Sequence, residues 1–344
     1  MQPAKESAPI MTVENLTKHF TTGSALSRTV VRAVQDATFE LKPSQVVALV
    51  GESGSGKSTI VRMLARLYKP TSGRVTFQGE DISDIHGRRA TLAYVSKVQM
   101  IFQDPFASLN PAHPIGYQLT RPLLLHGKVG HDKKAQRQKV LELLERVALT
   151  PPEQFIDKYP HQLSGGQRQR IAIARALAVE PLVILADEPV SMLDVSIRLG
   201  VLNLMERLRT DDAIAFLYVT HDLASARYFA DKILVMYAGH IVEQSPSEAL
   251  IQDSKHPYTR LLLSAVPNPE KGLRTAEVEA KGEIPDLATL GAGCPFAERC
   301  PRVMPRCWDS MPPITPLEDN RWVRCYLYDD HPAPAPAEAE PAYA

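Results

Sequence analysis

The stretch that most constrains this chain is Gly51-Glu52-Ser53-Gly54-Ser55-Gly56-Lys57-Ser58, a G-x-x-x-x-G-K-S pattern. The apolar run 46–50 precedes it, and good helix formers follow over 60–67. A strand passing into a helix through a glycine-rich loop is the setting in which this pattern cradles phosphate. Glycines let the backbone wrap closely, so that its N–H groups can turn inward to an anion. The helix adds its own unpaired N–H groups and the positive end of its dipole. Lys57 would lie against the β- and γ-phosphates, and Ser58 would place its hydroxyl on Mg²⁺.

Phosphoryl transfer also needs a carboxylate for the metal and one for the nucleophile. The apolar run 182–186 ends in Asp187 and Glu188. Asp187 is expected to hold Mg²⁺ through its water shell. Glu188, one residue on and expected across the pleat, would orient or deprotonate a water. Between the two features lies Ser164-Gly165-Gly166-Gln167 at a helix start, a second anion cradle. One nucleotide needs one cradle, so the spare is expected to face the nucleotide of another subunit.

Ser164-Gly165-Gly166-Gln167 resembles the signature motif of ABC-type ATPases. The rest of that set follows in order over residues 10–265. Residues 51–58 resemble its Walker A loop, Gln103 its Q-loop glutamine, and Asp187 and Glu188 its Walker B acids. Residues 191–194 resemble its D-loop, with Met192 at the usual alanine and Asp194 closing it; His221 resembles its switch histidine. The resemblance implies an ATPase. Its ATP would be bound by Phe20, Gly51, Ser53, Gly54, Ser55, Gly56, Lys57, Ser58, Thr59, Gln103, Asp187 and His221. Mg²⁺ would be held by Ser58, Gln103 and Asp187, and catalysis carried by Glu188, His221 and Lys57. It also implies a head-to-tail dimer in which Ser164, Gly165, Gly166 and Gln167 meet the partner's ATP. Phe20 has two readings, an aromatic stacked on adenine or a core aromatic.

The four cysteines, Cys294, Cys300, Cys307 and Cys325, all lie in the last fifth of the chain. Such a cluster points to a metal before a disulfide framework. The spacing lacks the close pair usual for zinc. Four irregularly spaced thiolates suit a [4Fe–4S] cluster; zinc and free or disulfide-bonded thiols remain open. This segment, with residues 256–262 before it, resembles the C-terminal extension of oligopeptide/dipeptide importer ATPases, in which four cysteines bind an iron–sulfur cluster. The role expected is structural, a cross-link for a lobe with a thin core.

The chain has 344 residues, 44% of them apolar, and 39 basic residues balance 39 acidic ones. A full-sized core follows; a whole-chain attraction to nucleic acid does not. No apolar run is long enough to span a bilayer, and the N-terminus has no signal-peptide region. The protein is therefore expected to stay in the cytosol unless another subunit holds it at a membrane; the resemblance implies a peripheral place at the cytoplasmic face of the inner membrane. The resemblance implies a second ATPase subunit, most simply in a heterodimer. It further implies two transmembrane permease subunits and an extracytoplasmic substrate-binding protein, with no nucleic acid. Peptides are the expected cargo; oligosaccharides or nickel are the alternative, and a soluble ABC-type ATPase acting on nucleic acid or ribosomes is the rival. The expected fold is α/β, a P-loop NTPase core with an antiparallel β subdomain, a helical insertion over about 106–180 and a small cysteine-rich C-terminal lobe. The ATPase domain would span 10–265, the lobe 266–330 and a disordered tail 331–344. Strands are expected over 11–16 and 30–34, separated by a polar insert.

Overall fold

The computed structural model describes residues 8–24, 27–264 and 285–329. The lead-in before residue 8, the boundary expected near 266–269 and the tail 331–344 lie outside the described residues. The strands are β1 (Met11–Ser24), β2 (Ser27–Leu41), β3 (Val46–Val50), β4 (Ser72–Phe77), β5 (Glu80–Asp81), β6 (Val98–Ile101), β7 (Val183–Asp187), β8 (Ala215–Thr220), β9 (Lys232–Tyr237), β10 (His240–Pro246), β11 (Thr315–Leu317) and β12 (Arg321–Val323). The helices are α1 (Lys57–Leu64), α2 (Gly87–Lys97), α3 (Pro105–Ser108), α4 (Ile115–Leu125), α5 (Lys133–Arg146), α6 (Glu153–Ile156), α7 (Gly165–Leu177), α8 (Val195–Asp212), α9 (Leu223–Phe229), α10 (Ser247–Gln252), α11 (Pro257–Ser264) and α12 (Arg306–Asp309).

The main sheet has the order β11-β12-β10-β9-β3-β8-β7-β6. Its centre, β9-β3-β8-β7-β6, is parallel. A parallel sheet buried on both faces requires continuous apolar strands, and every residue of β3, β7 and β8 is buried. The pleat divides β3 between two cores. Val46, Ala48 and Val50 pack with α4, α5, α7 and α8 on one face. Val47 and Leu49 pack on the other with α1 and the second sheet, β2-β1-β4-β5. Between α3 and β7 the regular elements are all helical, apart from one short 3₁₀ turn.

One feature differs from the sequence expectation and one adds to it. The polar insert is a continuation of the β1–β2 hairpin, with Thr22 opposite Thr29 and Gly23 opposite Arg28. A two-stranded ribbon in solvent needs β-formers such as threonine but no apolar face, so hydrophobic patterning stops before the strands do. The C-terminal lobe is also partly an extension of the main sheet. In it Val323 of β12 pairs antiparallel with Glu243 of β10, covering the unpaired backbone groups that β10 would otherwise present as an edge.

Candidate functional site

Parallel sheets gather loop chemistry at the carboxyl ends of their strands. The register aligns those ends: Val50 of β3 lies beside Thr220 of β8, Asp187 of β7 beside Val219, and Ile101 of β6 beside Ala186. The loops after these four strands carry residues 51–56, Gln103, Glu188 and His221, so one sheet edge collects residues spread over 170 positions (51 to 221).

The loop after β3 is closely fitted. A Cβ on Gly51 would meet the Met236 carbonyl oxygen at 2.1 Å, and one on Gly56 would meet that of Ala33 at 2.1 Å. Gly56 also has φ 108°, open to glycine alone at little cost. Ser53 and Gly54 are exposed at its crest, whereas Ser55 is buried. Ser55 O accepts the Gly239 N–H at 2.9 Å, which ties the loop to the β9–β10 turn. Thr59 sits in the first turn of α1, its N–H bonded to Gly56 O.

Lys57 is buried, and its Nζ donates to Gly51 O at 2.8 Å, Glu52 O at 2.7 Å and Ser55 Oγ at 3.3 Å. Burial lowers its pKa, while the charges of Glu188, Asp187 and Glu52 oppose the shift. Ser58 Oγ donates to Asp187 Oδ1 at 2.9 Å. Burial pushes the Asp187 carboxyl upward, and that hydrogen bond works against the change. The two oxygens fit a hard cation that takes one or two protein ligands and keeps its waters.

Glu188 is a meeting point. Its Oε2 accepts Gln103 Nε2 at 3.2 Å and pairs with His221 Nδ1 at 3.1 Å. Strand β7 ends at Asp187, and Glu188 has φ 48°. A left-handed turn, held by Glu188 N–H to Val219 O at 2.9 Å, therefore directs this carboxylate, not pleat alternation. Strained backbone of this kind collects at working sites. Gln103, which the sequence also assigned to the metal, is hydrogen-bonded to Glu188, the residue after Asp187.

The second cradle is built at the start of α7. Ser164 Oγ accepts Gln167 N–H at 3.3 Å and Gln167 Oε1 accepts Ser164 N–H at 3.0 Å, a reciprocal capping box. A Cβ on Gly166 would lie 2.4 Å from Ile197 Cγ2, and one on Gly165 3.6 Å from Leu193. The cradle thus packs against the segment carrying exposed Asp194, the N-cap of α8. Among the described residues no hydrogen bond or ion pair joins 164–167 to 51–58. Phe20 is half-buried and meets Tyr68 edge-to-face with centroids 5.5 Å apart, with Lys18 Nζ 5.0 Å over its ring.

The four cysteines are free thiols. Cys294 N–H donates to Cys307 O at 2.8 Å. Burial pushes Cys294 up to about 12 and Cys325 to about 11, and the charges of the other three thiols add to both shifts except that of Cys294 on Cys325. Burial also raises Cys300. Their donor chemistry fits a soft metal, which would have to overcome that resistance to ionisation. As placed, no three His, Cys, Asp or Glu side chains among the described residues converge on a metal-holding arrangement.

Sequence reading missed one part of the site. Glu52, inside the loop, is gripped from the C-terminal segment by Arg299, and its N–H donates to Tyr258 Oη at 2.9 Å. An acid inside an anion-binding loop was the available signal.

Residues 34–191 match the family model described as ABC transporter, and residues 242–307 match that for the oligopeptide/dipeptide transporter C-terminal region. The chain is 41% identical over 330 residues to the oligopeptide transport ATP-binding protein AppF of Bacillus subtilis, covering 94% of this chain and 99% of that one. It is 38% identical over 327 residues to the dipeptide transport ATP-binding protein DppF of Haemophilus influenzae, covering 94% and 98%. Among solved structures, the ATP-binding cassette MJ0796, a dimer in a post-hydrolysis state with ADP and Pi, superposes with TM-score 0.62 at 31% identity, covering 69% of this chain and 98% of that one.

Proposed function

We propose, because the chain belongs to the ATP-binding subunits of ABC transporters of the oligopeptide/dipeptide type, that it hydrolyses ATP to drive the import of di- and oligopeptides. The observation that carries this reading is the convergence on Glu188 of Gln103 and His221, beside the Ser58–Asp187 pair, at the sheet edge that also bears the phosphate loop.

In this reading the N–H groups of 51–58 receive the phosphates, and Lys57 exchanges its loop carbonyls for phosphate oxygens. Ser58 and Asp187, the latter through water, would hold Mg²⁺ with Gln103, and the ion would offset the charge on the phosphates. Glu188 orients the attacking water and accepts its proton. His221, on the same carboxylate, contacts the γ-phosphate; Gln103 relays the state of this carboxylate to the helical region that follows it. Residues 164–167 serve the nucleotide of a second ATPase subunit, most simply a different chain. Two membrane-embedded permease subunits and an extracytoplasmic binding protein complete the importer, with this chain on the cytoplasmic face. In support of a peripheral position, no described helix is long and apolar enough to cross a membrane. Cys294, Cys300, Cys307 and Cys325 are proposed to hold an iron–sulfur cluster once drawn together, with zinc as the alternative.

A Glu188→Gln chain should bind ATP and close its dimer while steady-state hydrolysis falls by at least about a hundredfold, as expected for loss of a general base. Undiminished hydrolysis would remove Glu188 from the mechanism. Co-purification of the wild-type chain with integral membrane subunits, and peptide-stimulated turnover of that complex, tests the transport role.

A further inference from the structure

The cysteine-bearing segment reaches the phosphate loop directly. Arg299, the residue before Cys300, makes a two-pronged contact with Glu52: Nη1 to Oε2 at 2.7 Å and Nη2 to Oε1 at 3.0 Å. The arginine side chain is only 7% exposed and that of Glu52 24%. The guanidinium is seated among aromatic rings, 5.7 Å from the Tyr237 centroid and 5.9 Å from that of Phe296, and its Nη1 also donates to Tyr237 Oη at 3.3 Å. The same loop residue is held a second time through its backbone by Tyr258. Tyr258 is itself positioned by the buried carboxylate of Glu243. That carboxylate accepts the His256 N–H at 2.9 Å and the Thr259 hydroxyl at 2.6 Å at the start of α11.

An acid in an anion cradle is a liability. The charge of Glu52 is felt at Lys57, and an unpaired carboxylate there would repel a triphosphate and compete for that ammonium. Its backbone carbonyl already accepts from Lys57 Nζ, so displacement of Glu52 moves the lysine's own support. A planar, two-pronged arginine is the side chain best suited to neutralising and fixing a carboxylate at once.

We propose that Arg299, assisted by Tyr258, is a positioning residue for the phosphate loop, and that by neutralising and fixing Glu52 it makes the C-terminal segment a working part of nucleotide binding. The inference rests on reading 51–58 as the ATP cradle and goes beyond it by giving that cradle a long-range support. It also gives the cysteine segment a route to the nucleotide, because the 3₁₀ turn that ends at Arg299 lies between Cys294 and Cys300.

The test is calorimetric titration of the full chain with AMP-PNP and Mg²⁺ at fixed ionic strength, with the unfolding midpoint of each chain measured without nucleotide. Arg299→Ala should weaken binding by at least about tenfold, the scale expected when one partner of a buried charge pair is removed. Adding Glu52→Gln to that chain should restore affinity to within about threefold of wild type, because the stranded charge is then gone and Tyr258 still fixes residue 52 through its backbone N–H. Arg299→Lys, which keeps the charge and loses the fork, should fall between; it also serves if Arg299→Ala does not fold. A double variant as weak as Arg299→Ala, or affinity unchanged in Arg299→Ala and Arg299→Lys, would overturn the proposal. Absence of AMP-PNP binding by the wild-type chain would instead remove its premise, the ATP reading itself.

Discussion

His256 is 1% exposed, and its Nδ1 accepts the Tyr258 N–H at 3.1 Å. That bond requires an unprotonated Nδ1, and burial pushes the imidazole down from 6.5 to about 3. Because the folded value lies below the unfolded one, the unfolded chain binds more protons between them. Its contribution to stability is complete above pH 6.5 and is lost as pH falls toward 3. Glu243, raised by burial, acts in the opposite sense, so the effect is read as a difference between chains. Urea unfolding at pH 7.5 and pH 5 should show a larger loss for wild type than for His256→Gln; parallel losses would remove His256 as the cause. The same scale shows where sequence reading ends. Asp187 and Glu188 are visible as acids closing an apolar run. That Glu52 belongs with Arg299, 247 positions away, is not, since nothing local to either residue marks the other.

The two cradles also differ as elements. The loop before α1 fits closely against the carbonyls of Ala33 and Met236 and is held by Gly239, Tyr258 and Arg299, whereas the start of α7 is fixed by its own capping box and by α8. Gly166→Ala should improve helix propensity by about 1 kcal/mol, yet its Cβ would sit 2.4 Å from Ile197 Cγ2. Overpacking of that kind costs about 1–3 kcal/mol and would push the Asp194 segment away from residues 164–167. Lower stability and lower ATPase activity are expected, with stability recovered in Gly166→Ala/Ile197→Ala, since Ile197 is 36% exposed and easily trimmed. If the double variant is no more stable than Gly166→Ala, this contact is not the reason. Other elements escaped the sequence for physical reasons. Helix α2 buries only Tyr94 and so carries almost no periodic signal, and α4 contains Pro122, which reads as a break.

Across the described residues, the C-terminal segment is bound to the ATPase core at several points. Strand β12 joins the main sheet, Arg324 Nη2 donates to Asp36 of β2 at 2.6 Å, and Arg299 holds Glu52. A centre built on its cysteines would therefore stiffen a region already joined to residues 51–58. Protein purified without oxygen should be brown, with broad visible absorption that disappears in Cys307→Ser. A colourless protein carrying zinc would overturn the iron–sulfur assignment and leave the four-thiol site standing.

The sequence by itself determined the chemistry and its order along the chain. The phosphate loop, the paired acids and the Ser164–Gln167 cradle are each set by residue types at short spacing, and local geometry follows from local sequence. Only the tertiary structure decided which of these meet. Parallel register brought Gln103, Glu188 and His221 to one edge, a left-handed turn aimed Glu188, and a segment almost 250 positions away was found holding the phosphate loop. Contacts of that range depend on how sheets and cores pack, and the chain carries no local mark of them.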